Sequence, residues 1–137
     1  MRTSLCAVAT LAAAAILAVP AGAATTLYVS PNARNPNNNV CSAGNPCSLR
    51  HGAETVAVSG DDVLVAPGDY VLSATLAPTP GITLEGRLQA ARPRLLGSAP
   101  ALGATVSLGA GSTLRHLDVE QSGNNTFGVI ATTTDLL

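Results

Sequence analysis

The chain of 137 residues is expected to fold as an all-β solenoid, coil stacked on coil, with one short helix near its start. Three observations point there. The side chains are 47% hydrophobic but only 2% aromatic, so the apolar content is alanine and aliphatics, which suits like residues resting on one another in successive coils. From Val63 onward these residues come in runs of two to seven, rich in β-branched types and punctuated by turns, the pattern of short strands. The runs recur about every 20 residues, within the range of solenoid periods, without a strictly repeated string. A β-sandwich would call for longer alternating strands and several core aromatics, whereas only Tyr28, Tyr70 and Phe127 are present. Charged residues make up 11%, against about 25% in ordinary domains, so Ser, Thr, Asn and Gly are expected to cover the surface. With no lysine and a net charge of −1, the chain lacks the basic footprint of a nucleic-acid binder and the polybasic patch of a membrane-surface protein.

The first element is a leader. Met1-Arg2-Thr3-Ser4 is a short positive region, Leu5 to Val19 is apolar, and Pro20 precedes the small-residue site Ala21-Gly22-Ala23, the order of a secretory signal peptide over residues 1–23. Fifteen apolar residues fall short of the roughly 20 that span a bilayer as a helix, so no membrane span is expected in the mature chain. Cys6 opens the apolar stretch instead of ending it, which speaks against a lipoprotein anchor. The expected location is secreted, extracellular or at the cell surface. Of the 114 residues that remain, two are cysteines, Cys41 and Cys47, and an even count in an exported chain favours one disulfide. Closing that short loop contributes about 2 kcal/mol in the chain-entropy model. The alternative joins these thiolates to His51 and His116 in a zinc site.

Residues 24–60 form the opening unit: a strand from Thr26 to Ser30, an Asn-, Pro- and Gly-rich loop from Asn32 to Pro46, and a helix. Ser48 stands as N-cap, Leu49, Ala53, Val56 and Ala57 share one helical face, and Gly60 stops the helix, which should run from Leu49 to Ser59. Its polar flank, Arg50, His51 and Glu54, is expected to face solvent.

Residues 61–137 are read as coils. Strands are expected at Val63–Ala66, Tyr70–Leu72, Thr75–Leu76, Ile82–Glu85, Arg94–Leu96, Thr105–Leu108, Leu114–Glu120 and Phe127–Ala131. In the preferred register each coil has three strands, and Val63–Ala66, Ile82–Glu85 and His116–Val119 stack in one sheet, with an enlarged turn at Gly97–Ala104. The other register has two strands per coil and stacks Leu64, Thr83, Ser107 and Val129. The apolar stripe of the helix would cover the first coil and block edge-to-edge pairing. At the far end, Asp135-Leu136-Leu137 follow closely on a strand without a polar cap, so the chain is expected to be the N-terminal part of a longer protein.

Cys47-Ser48-Leu49-Arg50 before a short helix, then Gly60-Asp61-Asp62-Val63 and Ala66-Pro67-Gly68-Asp69-Tyr70, resemble the start of bacterial right-handed parallel β-helix proteins of the pectin-lyase-like superfamily. The opening is similar to the Cys-Ser-Leu-Arg-Glu-Ala signature domain, with His51-Gly52 in place of its Glu-Ala. More loosely, the chain resembles the repeats of polymorphic outer-membrane proteins. The resemblance covers residues 26–131 and implies a right-handed parallel β-helix with an N-terminal capping helix. It implies two kinds of function, polysaccharide lyases and hydrolases on one side, adhesins and surface proteins without catalysis on the other, and fold alone does not choose between them.

A polysaccharide lyase needs carboxylates to hold Ca²⁺ against an acidic sugar and a base for the proton, and a glycoside hydrolase needs two placed carboxyls. The clustered candidates are Glu85, His116, Asp118 and Glu120. Alternation through Leu114–Glu120 turns His116, Asp118 and Glu120 outward, and Glu85 would lie one rung away, roughly 4.8 Å, so three carboxylates could take calcium or an amino sugar. The plainer alternative is a solvated face that keeps the sheet soluble. Arg115 would serve as a lyase-like base only by leaving the inward parity set by Leu117. Asp61, Asp62 and Asp69 are read as turn formers, and Asn124-Asn125-Thr126 as a turn that also fits a glycosylation sequon. No catalytic residue, resident metal or cofactor is assigned, and Walker, dinucleotide, triad and Cys-x-x-Cys patterns are absent. The expected function is a structural or carbohydrate-binding module with polysaccharide as partner; the alternative is the amino-terminal part of a pectate-lyase-like enzyme.

Overall fold

Side-chain parity organises the chain. A computed structural model describes residues 22–88, 91–98, 103–122 and 127–131. Residues 1–21 of the expected leader, 99–102 of the expected enlarged turn, the expected turn at 124–126 and the end at 135–137 lie outside the described residues. The strands are β1 (Thr26–Val29), β2 (Asp62–Val65), β3 (Asp69–Leu72), β4 (Thr83–Gly86), β5 (Arg94–Gly97), β6 (Ala104–Leu108), β7 (Thr113–Arg115), β8 (Asp118–Gln121) and β9 (Phe127–Ala131). They form three sheets, ordered β1-β2-β4-β7, β3-β5-β8 and β6-β9, and every pairing between them is parallel. A parallel bridge from Leu76 to Val106 extends the third sheet, so Thr75–Leu76 supplies one rung position and not a full strand. The chain thus visits the first, second and third sheets in turn: β2, β3 and Leu76, then β4, β5 and β6, then β7, β8 and β9. Among the described residues the protein is all-β apart from one short helical segment.

Inward residues stack like on like. Leu27, Val63, Leu84 and Leu114 share a row in the first sheet, Tyr70, Leu95 and Val119 in the second, and Leu76, Val106 and Val129 in the third. Val63, Leu84, Leu95, Leu76 and Val106 are all 0% exposed, and each such burial stabilises the fold by roughly 1.5–3 kcal/mol. Three strands per turn of chain, the preferred register, agrees with this order. Its third member does not: Thr113–Arg115, not His116–Val119, joins β2 and β4.

The cause is a corner at His116, whose φ of +53° is rare for a non-glycine residue. It breaks the expected strand Leu114–Glu120 into β7 in the first sheet and β8 in the second. The corner nests over Gly86, where a Cβ would stand 2.1 Å from the His116 carbonyl oxygen, so only glycine fits there. Breaking the strand also resets its parity, and Arg115 lies outward and exposed, not inward.

The helix begins as expected, with the Ser48 hydroxyl accepting from the His51 amide at 3.4 Å, but it is shorter than Leu49–Ser59. One α-helical turn, α1 (Leu49–His51), passes into a π-helical turn at Gly52–Val56, and Ala57 is extended. One tertiary and two local bonds accompany the early stop. The Ala53 carbonyl accepts from the Thr79 amide at 2.9 Å, the Ala57 amide turns to the Gly52 carbonyl at 2.9 Å, and the Val58 amide is held by Asp61 Oδ2 at 2.9 Å. Gly52 lets the turn lie against the Cys41–Cys47 disulfide, since a Cβ there would sit 2.6 Å from Val29 Cγ1 and 3.0 Å from Cys47 Sγ. Leu49, Ala53 and Ala57 are buried in the common core, so the apolar stripe covers its end.

This cap also satisfies strand edges. The Tyr28 amide donates to the Cys41 carbonyl at 2.7 Å, and the Cys47 and Ser30 amides continue the ladder at 3.1 and 3.0 Å, so the disulfide loop closes the edge of β1. On the third sheet, Arg50 donates to the Ala74 carbonyl at 2.7 Å and the Thr75 carbonyl at 3.2 Å, while Glu54 Oε1 accepts from the Ala77 amide at 2.8 Å and pairs with Arg50 at 2.6 Å. The polar flank expected to face solvent is therefore largely a clasp on residues 74–77. His51 Nε2 lies 3.0 Å from Asn39 Oδ1.

Two buried polar groups complete the frame. Asp61, 4% exposed, accepts from the Thr25 amide (2.9 Å) as well as from Val58, tying the entry of β1 to the turn after the helix. The Tyr70 hydroxyl donates to the Ala66 carbonyl at 2.9 Å, and burial pushes its pKa well above that of a free phenol, against the opposing pull of Arg87 and the Ala66 bond. Among the described residues no helix is long and apolar enough to cross a membrane.

Candidate functional site

Outward residues of the parallel sheets form rows at the strand spacing, about 4.8 Å, so side chains distant in sequence become neighbours. The corner at His116 divides the four candidate residues between two such faces. Glu85 belongs to the first sheet, in the outward row Tyr28, Leu64, Glu85, Arg115, and His116 Nδ1 approaches its Oε1 at 3.3 Å. Asp118 and Glu120 belong to the second sheet, opposite Arg94 and Leu96. The expected alignment of Glu85 with Asp118 and Glu120 on adjacent rungs is not formed. Among the described residues no group of three or more His, Cys, Asp or Glu side chains is placed to hold a metal ion. The cysteines bond to each other, which removes the zinc alternative.

On the second sheet the carboxylates meet a guanidinium instead of a shared cation. Arg94 stands between Asp69 of β3 and Asp118 of β8. It reaches Glu120 through Nε at 3.0 Å and Nη2 at 3.1 Å, a bidentate fork, and Asp69 at 3.3 Å. Hydrogen bonding and charge from Glu120, then the charge of Asp69, hold Arg94 still more firmly protonated than a free arginine. Arg92 lies 3.6 Å from Asp118. Asp69, read as a turn former, opens β3 and joins this ladder.

Beside the ladder runs an apolar strip, Val71 (69% exposed) and Leu96, and beyond it a row of hydroxyls. Ser98 Oγ donates to the Leu72 carbonyl at 3.2 Å and Ser122 Oγ to the Gly97 carbonyl at 2.7 Å, each to the rung before it, which leaves hydroxyl lone pairs to accept from a ligand. Charged ladder, apolar strip and hydroxyls line a shallow groove of about 330 Å³. A flat strip flanked by bidentate charged groups and hydroxyls can receive a ligand with an apolar face and an equatorial rim of hydroxyls. Sequence reasoning found Glu120 and Asp118 and missed Arg94, Val71, Leu96 and the serines. The available signal was the return of Asp69, Arg94 and Asp118, and of Ser73, Ser98 and Ser122, after 25 and then 24 residues.

The first sheet carries a second recess of about 360 Å³ over Leu64, walled by Glu85, Arg87 and the exposed Leu88; the Arg87 guanidinium lies over the Tyr28 ring, 5.5 Å from its centroid. That stacking covers one face of the ring.

No family model, curated protein or solved structure matches the chain.

Proposed function

We propose that the chain is a secreted or cell-surface module, a right-handed parallel β-helix of the pectin-lyase-like kind, that binds carbohydrate along the outward face of its second sheet. Three parallel sheets visited in fixed order, a helical segment over the first coil and like-on-like inward rows support the architecture. Parallel crossovers are right-handed in about 98% of cases. The leader at residues 1–23 and the Cys41–Cys47 disulfide support the location.

The observation that carries the binding role is the groove in which Val71 and Leu96 lie between the Arg94 fork and the serine row. Its carboxylates already bond to arginine, an arrangement suited to presenting fixed polar groups and ill suited to a general acid and base that exchange protons. Binding is favoured over catalysis on that ground.

Calorimetric titration with neutral and uronic-acid oligosaccharides tests the reading. Saturable binding is expected in the wild-type chain, with a loss of at least tenfold in Leu96→Glu and in Arg94→Gln. Wild-type protein that binds no glycan, or variants that bind as well as wild type, would overturn it. Release of unsaturated sugar products would replace it with the lyase reading.

A further inference from the structure

The cap closes two of the three sheets at its end of the molecule and leaves the other open. The edge of β1 is paired by Cys41, Cys47 and Ser30, and the third-sheet segment is clasped by Arg50, Glu54 and Ala53. In the second sheet β3 is the edge strand. The Arg94 amide donates to the Gly68 carbonyl and the Ser98 amide to the Leu72 carbonyl, so in this parallel ladder the even-numbered residues of β3 face β5. The main-chain N–H and C=O of Asp69 and Val71 therefore point the other way, toward the cap. Among the described residues no hydrogen bond from the cap reaches them.

They open instead on a cleft of about 240 Å³ between Ser30–Pro31 and Ser48–Arg50 on one side and Asp69–Ser73 on the other. Both ends of it are built. Pro31 presses on Gly68, where a Cβ would lie 2.8 Å from its Cγ, and Arg50 is fastened to the Ala74 and Thr75 carbonyls. The five residues between these stops span about 16 Å of extended chain, the length of a short strand.

We propose that this edge of β3 is a docking site for an extended segment of a partner polypeptide, added as one further strand of the second sheet. Free edges are templates for this pairing, in which main-chain bonds provide affinity and alternate side chains provide selectivity. The rows of the sheet set the partner's chemistry. Its outward residues continue the row Asp69, Arg94, Asp118 and the row Val71, Leu96, Glu120. Opposite Asp69 the complementary residue is basic, and opposite Val71, two residues along, it is aliphatic. Between them a small residue fits over buried Tyr70 and Leu49.

The test uses the full chain and a fluorescein-labelled octapeptide of alternating threonine with one arginine and one valine two residues apart. Anisotropy should show saturable binding, and hydrogen exchange should show the Val71 amide fast in the free protein and protected in the complex, with Tyr70 and Leu72 slow in both. Val71→Pro removes the amide facing the cleft and none that faces β5, and proline is tolerated on edge strands, so the variant should keep its circular dichroism and lose at least tenfold in affinity. Asp69→Ala should reduce preference for the arginine peptide over its glutamate counterpart. The same peptide N-methylated on alternate amides should not bind. No saturable binding by the wild-type chain, equal binding of the N-methylated peptide, or an unprotected Val71 amide in the complex would each overturn the proposal.

Discussion

Asp61→Ala offers the sharpest test of how the helical cap is joined to the sheets. The Asp61 carboxylate is almost completely enclosed, and its two oxygens each accept one main-chain amide at 2.9 Å, from Thr25 before β1 and from Val58 after the helix. Hydrogen bonds to a charged acceptor are worth about 1.5–3 kcal/mol each, and burying a donor without a partner costs about 1–3 kcal/mol. Thr25 and Val58 are themselves exposed, so water can reach the orphaned amides and the lower part of that range applies. The expected loss for Asp61→Ala is about 2–3 kcal/mol, equivalent to a fall of roughly 10 °C in Tm for a domain of this size. Asp61→Asn keeps one accepting oxygen but turns an amide nitrogen toward the other donor, so about half the loss is expected. Urea unfolding at neutral pH reads both, and an unchanged m-value would confirm that the native state keeps its compactness. An Asp61→Ala midpoint within 0.5 kcal/mol of wild type would refute the reasoning, as would an asparagine variant less stable than the alanine one.

Two further predictions concern the packed interior. The Tyr70 phenol ionises higher in the folded chain than in the unfolded one, so its contribution is fully present below pH 10 and is lost as pH rises beyond it; urea midpoints should fall from pH 9 to 11 in wild type and much less in Tyr70→Phe. The phenylalanine variant should itself lose about 0.5–1.5 kcal/mol at neutral pH through the missing bond to Ala66. Gly52→Ala should destabilise by about 1–3 kcal/mol despite alanine's better helix propensity, because the added methyl meets Val29 and Cys47; a more stable variant in thermal melts would contradict the contact.

The strands were legible because one-sided burial writes itself as alternation: Leu27, Val63, Leu84 and Leu95 each sit between outward residues, as the short runs anticipated. The Cys41–Cys47 bond was legible from the even cysteine count of a chain read as exported. The end of the helix was not, because it is decided by Thr79 and Asp61, which lie outside its own sequence. Nor was the corner at His116, where a histidine adopts a conformation usually left to glycine, and that single residue moved Asp118 and Glu120 to a different face from Glu85. The apolar spacing Leu114, Leu117, Val119 contained the break, a step of three followed by a step of two, within what otherwise read as one strand.

Returns to the first sheet take 36, 21 and 30 residues, while returns to the second take 25 and 24. Such a scaffold separates ornament from frame. Connections can lengthen or shorten where the chain passes between walls while every storey keeps its height, so the outward decoration of one wall is free to diversify without disturbing the masonry beneath it.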